Sequence, residues 1–277
     1  MKEKIISFKK THPVIFAALA ILIFDLFIVV VKLFYSLENR ENIQCMIREG
    51  VLTVFAVAMI FVAGQAHIYK CGFKNLFRGL WSGFIIIAIA LLITPVYITD
   101  GISSGAEFKS PVQIAAFIIF VLLVGAAEES VCRGIATDVL IEKFGKSKGG
   151  IWLAAVISGL FFGIFHITNL FSQSLSETII QVIGTSLTGI FLSAIYIRHR
   201  NIYTVMLLHA LFDFTLMSGD GFFKGKYILT PAVAAENYNF WFELGAAVAV
   251  QGVFVIIAFF ILRPKIAKRI AENNRNA

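Results

Sequence analysis

The chain has 277 residues, of which 58% are hydrophobic, 28 are Phe and only 15% are charged, against about a quarter charged in an ordinary soluble domain. A mean hydropathy of +0.85 leaves too little polar surface to cover a soluble globule, which excludes a water-soluble enzyme, a disordered chain and a disulfide scaffold. The net charge of +7 falls in short basic clusters between apolar runs, the pattern of a multi-pass membrane protein rather than a nucleic-acid binder.

A crossing needs about 20 apolar residues, and in chain order the sequence predicts eight, at 13–34, 50–69, 79–98, 111–140, 151–170, 177–197, 201–218 and 240–262. The first holds Asp25 as its one polar residue over 14–31. It is too long for a signal-peptide core and has no small-residue cleavage site after it, so it reads as an uncleaved span. Lipid leaves open backbone groups unsatisfied, and no ten-residue alternation suggests a barrel, so the spans are helices. The expected fold is an all-α polytopic bundle forming a single domain over 1–277. Cys45, Cys71 and Cys132 are odd in number and unpatterned, which indicates neither a disulfide framework nor a zinc knuckle.

Seventeen of the 24 Lys and Arg residues fall on the side that carries both termini, six fall on the other, and Arg133 lies inside a span. The six are Lys32, Arg40, Arg48, Lys109, Lys224 and Lys226. That split places both termini in the cytoplasm. Trp81, Trp152 and Trp241 each fall near the start of a span, where an aromatic belt sits.

The ionisable residues singled out inside the spans are Asp25, Glu128, Glu129, Arg133, His166, His209 and Asp213. A charged group at mid-bilayer costs about 2.5–3.5 kcal/mol on insertion scales, so pairing and a wet cavity must offset most of the total. Glu129 and Arg133 stand at i,i+4 and pair along one helix face, which leaves Glu128 about 100° round, free for another partner. Phe162 and His166 are again four apart, on a helix whose Gly159 and Gly163 allow close approach. His209 and Asp213 repeat the spacing, so the carboxylate can orient the ring or share an ion with it. The expected reading is one water-filled pocket shared by Glu128, His166 and His209.

These three motifs, EExxxR at Glu128, Glu129 and Arg133, FxxxH at Phe162 and His166, and HxxxD at His209 and Asp213, resemble those of the CPBP intramembrane proteases. That family includes the type II CAAX prenyl endopeptidases and bacteriocin-immunity (Abi-like) homologues. The resemblance covers about residues 110–215. It implies a membrane endopeptidase in which Glu128 is the water-activating base and His166 its partner. His209 and Asp213 would supply the remaining ligand or oxyanion pair, and Glu129 with Arg133 the structural ion pair. The prenyl endopeptidases usually carry Asn at the position of Asp213, which points away from CAAX substrates.

Two routes to hydrolysis stand open. In one, Glu128, His166, His209 and Asp213 furnish ligands for a divalent metal, Zn²⁺ first, with an open position for water. In the other, Glu128 and His166 activate water without a metal, and the third motif stabilises the oxyanion. An ionised Asp213 cannot donate a hydrogen bond, which favours the metal. The expected substrate is a membrane-associated peptide or protein cut near the cytoplasmic face, with peptide processing or bacteriocin self-immunity ahead of CAAX cleavage. The Ile-, Phe-, Lys- and Asn-rich usage points to an AT-rich bacterium, so the expected location is a bacterial plasma membrane. The competing classes are a proton-coupled transporter, disfavoured by the lack of paired interrupted helices, and a catalytically silent scaffold, whose function would survive loss of Glu128. Counted from the cytoplasmic ends at about 1.5 Å per residue, Glu128 and His209 lie about 16 and 12 Å deep but His166 about 24 Å. The fifth helix is therefore expected to project into the cytoplasm by two turns.

Overall fold

The computed structural model describes residues 2–34, 41–225 and 239–276. Arg40 and Lys226, two of the six basic residues counted opposite the termini, lie outside the described residues. Eight described helices are long and apolar enough to cross a membrane, as expected. The elements run α1 (Lys2–Thr11), α2 (Pro13–Phe34), α3 (Asn42–Val62), α4 (Leu76–Ser82), α5 (Phe84–Ser103), α6 (Pro111–Glu129), α7 (Asp138–Phe144), α8 (Lys148–Ile164), α9 (Leu175–His199), α10 (Ile202–Phe222), α11 (Phe240–Ile261) and α12 (Pro264–Asn276). The chain between α6 and α7 stays helical through a widened π segment, Ser130–Thr137. Among the described residues the one extended pairing is the isolated bridge between Phe108 and Phe223.

The second span departs from expectation. The sequence places it at 50–69, yet the helix begins at Asn42 and stops at Val62. Its polar start faces protein: the Asn42 amide donates to the carbonyls of Gln113 and Gly221 at 2.8 and 2.9 Å. Arg48 lies 3.3 Å from the Glu49 carboxylate. Beyond Val62, Gly64 takes a left-handed φ of 72° that breaks the helix before a 3₁₀ turn over Ala66–Cys71.

Packing centres on the α6–π–α7 rod, whose π segment is buried throughout. Helices α8 and α9 meet closely along the Gly159/Gly163 edge. A Cβ on Gly163 would stand 2.5 Å from the Val182 carbonyl oxygen, and one on Gly159 would stand 2.6 Å from the Ile190 nitrogen. Helix α11 packs on α9 through Phe254 and Phe191, rings 5.1 Å apart, and leaves Phe242 and Phe260 exposed toward lipid. Trp81 and Trp241 are also largely exposed, as belt residues are.

Two opposite faces are tied by different contacts. On the face with the termini, Lys9 pairs with Glu142 at 3.5 Å, Asn274 donates to the Gly145 carbonyl at 3.1 Å and Asn75 donates to the His199 carbonyl at 3.1 Å. His67 meets the buried Asp138 carboxylate at 3.1 Å, and Arg200 pairs with the same carboxylate. On the other face, Lys109 donates to Asn42 and to the Asp220 carbonyl at 3.0 and 2.7 Å, and Lys224 pairs with Glu107 at 2.7 Å.

Two measurements check this packing. Gly163→Val forces a side chain into the α9 backbone and is expected to cost about 1–3 kcal/mol, the scale of overpacking, read as a lower melting temperature in detergent. The hydrogen bond to Asp138 holds the His67 pKa above its ordinary value. Protonated His67 therefore adds stability that is complete below about 6.5 and fades as pH rises through the raised folded value. The melting temperature of wild type should thus fall more between mildly acidic and mildly basic pH than that of His67→Gln. The ring is half exposed, so the difference is small.

Candidate active site

Each motif residue owes its position to a local break in helical geometry. Glu128 and Glu129 end α6 where the backbone widens into the π segment that carries Arg133, a distortion common at functional sites. Helix α8 tightens into a 3₁₀ turn, Phe165–Phe171, that carries His166. Helix α9 ends on Arg200, in the left-handed region at φ 51°. Asn201 then caps α10, its side chain accepting from the Thr204 nitrogen at 3.0 Å, so His209 and Asp213 follow one tight turn.

The helix ends differ from those used to place His166 deep: α7 runs on to Phe144 and α8 starts at Lys148. From Phe144 back to Glu128 is 16 residues, about 24 Å, and from Lys148 on to His166 is 18 residues, about 27 Å. Measured along the helices from the turn that joins α7 to α8, the two residues stand at similar distances. His209 stands only seven residues into α10, but that helix starts below the surface. Asn201 is fully buried and donates to the carbonyls of Gly72 and Lys74 at 2.9 and 2.8 Å, so residues 66–82 cover its end.

At the centre lies Glu129, fully buried. Its Oε1 accepts from Arg133 Nη1 at 2.6 Å and from His209 Nδ1 at 2.8 Å. Arg133 is also fully buried; it donates from Nη2 to the Gly189 carbonyl at 3.0 Å and lies 4.5 Å from the Phe162 ring centroid, a cation–π contact. With Nδ1 engaged, His209 turns Nε2 toward Asp213 Oδ2 at 3.4 Å and Glu128 Oε2 at 3.8 Å. Phe162 sets its ring edge-on to both histidines, with centroids 5.0 Å from His166 and 5.5 Å from His209. His166 Nδ1 donates to the Phe162 carbonyl at 2.9 Å, which leaves its Nε2 free.

Glu128, His166 and Asp213 line one cavity of about 480 Å³, and His209 stands beside it through its contacts to Glu128 and Asp213. Glu129 and Arg133 sit behind, in the packing. The sequence pointed to these six, but it did not show that Glu129 bridges Arg133 to His209. It also passed over most of the cavity wall: Lys32 and Glu49 line it, from spans without a motif. Asp25, read as a lone residue, accepts from Thr168 at 2.8 Å, two residues beyond His166. Asp138 was missed altogether. It is buried against Arg200 and His67, and its signal was a carboxylate inside the fourth apolar run.

Among the described residues, no three His, Cys, Asp or Glu side chains are grouped to hold a metal ion. The cavity wall also includes Asn42, Arg48, Lys109, Ser172 and Asp220, which belong to the face opposite the termini. Cytoplasmic termini and a pocket near the cytoplasmic face were expected together. They are incompatible, because the cavity and the termini lie toward opposite faces.

A family model described as type II CAAX prenyl endopeptidase Rce1-like matches residues 110–215. That stretch is a little over a third of the chain, runs from the start of α6 into α10 and holds all six motif residues; over it the chain is similar to the CAAX prenyl endopeptidases. Asp25, Lys32 and Glu49 of the cavity wall lie outside the match. No curated protein and no solved structure matches the chain.

Removing one partner from the buried pair tests this core. Arg133→Ala strands Glu129, a change expected to cost about 3–5 kcal/mol and to lower expression and melting temperature along with activity. Removing Glu129 and Arg133 together should recover part of that stability, since no unpaired charge is then left behind.

Proposed function

We propose that the protein is an intramembrane endopeptidase that hydrolyses a membrane-associated peptide or protein with a water activated by Glu128. The observation that carries this reading is the convergence of Glu128 and His166 on one cavity while His209 is held beside it by a fully buried carboxylate. Glu128 Oε2 is buried and has no hydrogen-bond partner among the described residues, so it is free to accept from a water or a substrate amide. In the proposed step, Glu128 takes a proton from water as the water oxygen bonds to the scissile carbonyl carbon. His166 Nε2 orients that water. His209 Nε2, when protonated, donates to the developing oxyanion, and Asp213 holds the ring in place rather than donating. Collapse of the tetrahedral intermediate breaks the C–N bond, and Glu128 returns the proton to the leaving nitrogen.

No step in this reading is routed through a metal. Asp213 in place of the Asn usual in prenyl endopeptidases favours peptide processing or bacteriocin self-immunity over CAAX cleavage.

Glu128→Gln keeps size and polarity but cannot take a proton. Hydrolysis should fall by about 10²–10⁴-fold, the scale of general acid–base catalysis, with the melting temperature unchanged. Substrates are found by comparing membrane peptides from cells with wild-type and variant protein. Full hydrolysis by the variant defeats the assignment of Glu128, and biological function that survives it favours the silent scaffold. Dialysis against a chelator should leave hydrolysis intact; loss restored by Zn²⁺ would instead establish the metal route.

A further inference from the structure

We propose that the cavity opens to the extracytoplasmic side, so that the segment cut is the outer juxtamembrane part of a membrane-anchored or exported polypeptide. The cleavage clause rests on the protease reading above; the sidedness stands on its own geometry. Asn42, Arg48, Lys109, Ser172, Gln173 and Asp220 all line the cavity. They lie at the start of α3, just before α6, just after the 3₁₀ turn that follows α8, and near the end of α10. These positions flank the connections between the first and second, third and fourth, fifth and sixth, and seventh and eighth spans, which occupy one face. Lys109 ties that rim together through Asn42 and the Asp220 carbonyl, at 3.0 and 2.7 Å.

The opposite face carries 17 of the 24 Lys and Arg residues. Among the described residues the cavity face has four, Lys32, Arg48, Lys109 and Lys224, and the first three line the cavity itself. Lys224 is then the one described basic residue left on that face outside the cavity wall. Basic residues in short loops are retained on the cytoplasmic side, so the face with the termini is cytoplasmic and the mouth of the cavity faces outward. A cytoplasmic mouth would require the 17-residue basic face to be the translocated one.

The test uses single cysteines in a chain carrying Cys45→Ser and Cys71→Ser, with the fully buried Cys132 retained. Ser172→Cys reports the rim and Lys146→Cys the other face; both positions are exposed. Gln173→Cys repeats the rim reading should Ser172→Cys fold poorly. With a membrane-impermeant maleimide on intact cells, the rim cysteine should label and Lys146→Cys should label only after permeabilisation. The reverse pattern overturns the proposal. Adding Glu128→Gln should leave the labelling unchanged. An inactive protein with an outward rim therefore counts against the protease reading alone, and an active one with an inward rim counts against the sidedness alone.

Discussion

A carboxylate with no access to water must be held by partners or be neutral, since stripping an ion of water costs several kcal/mol even after relaxation. Glu129 is in that position, fully buried in the middle of the bundle. Its Oε1 takes hydrogen bonds from Arg133 and from His209, which joins the fourth span to the seventh. The rest of the site follows from this bridge. Arg133, drawn to Glu129, reaches on to the Gly189 carbonyl and leaves its guanidinium against Phe162. Phe162 in turn sets the edges of both histidines. His209 can present only Nε2 to the cavity, because Nδ1 is committed.

This arrangement separates support from chemistry along one motif. Of two adjacent glutamates, one is sealed into the packing and the other faces the cavity. A rotation of about 100° per residue in a helix achieves that separation without any insertion. The small residues of α8 serve the same end. Gly159 and Gly163 let α9 approach closely enough for the Gly189 carbonyl to reach Arg133, so the bare backbone of one helix becomes a hydrogen-bond acceptor for the core of another.

What the sequence made legible was local. Spacings of four residues marked the pairs, the apolar runs marked eight crossings, and the excess of ionisable residues inside spans marked the cavity. Contacts distant in sequence were not legible: His209 to Glu129 spans 80 residues and Thr168 to Asp25 spans 143. Span ends were misjudged where polar residues are satisfied by protein instead of water, as at Asn42. They were also misjudged where a helix is longer than a crossing needs, as α6–α7 is over 34 residues, about 50 Å against a hydrocarbon core of about 30 Å. The cavity's place opposite the termini was not legible either, because its wall is built from span ends that carry no motif.

The bridge through Glu129 is tested most directly by a double-mutant cycle on unfolding free energy, with Arg133→Ala, His209→Ala and the pair. These two residues make no direct hydrogen bond or ion pair in the structure and are joined through one carboxylate oxygen. A shared partner predicts coupling of about 0.5–3 kcal/mol between them, whereas independent sites add to within about 0.3–0.5 kcal/mol. Coupling in the higher range is the expected result. Additivity would show that Glu129 does not link the two, and the account of how His209 is aimed would fail.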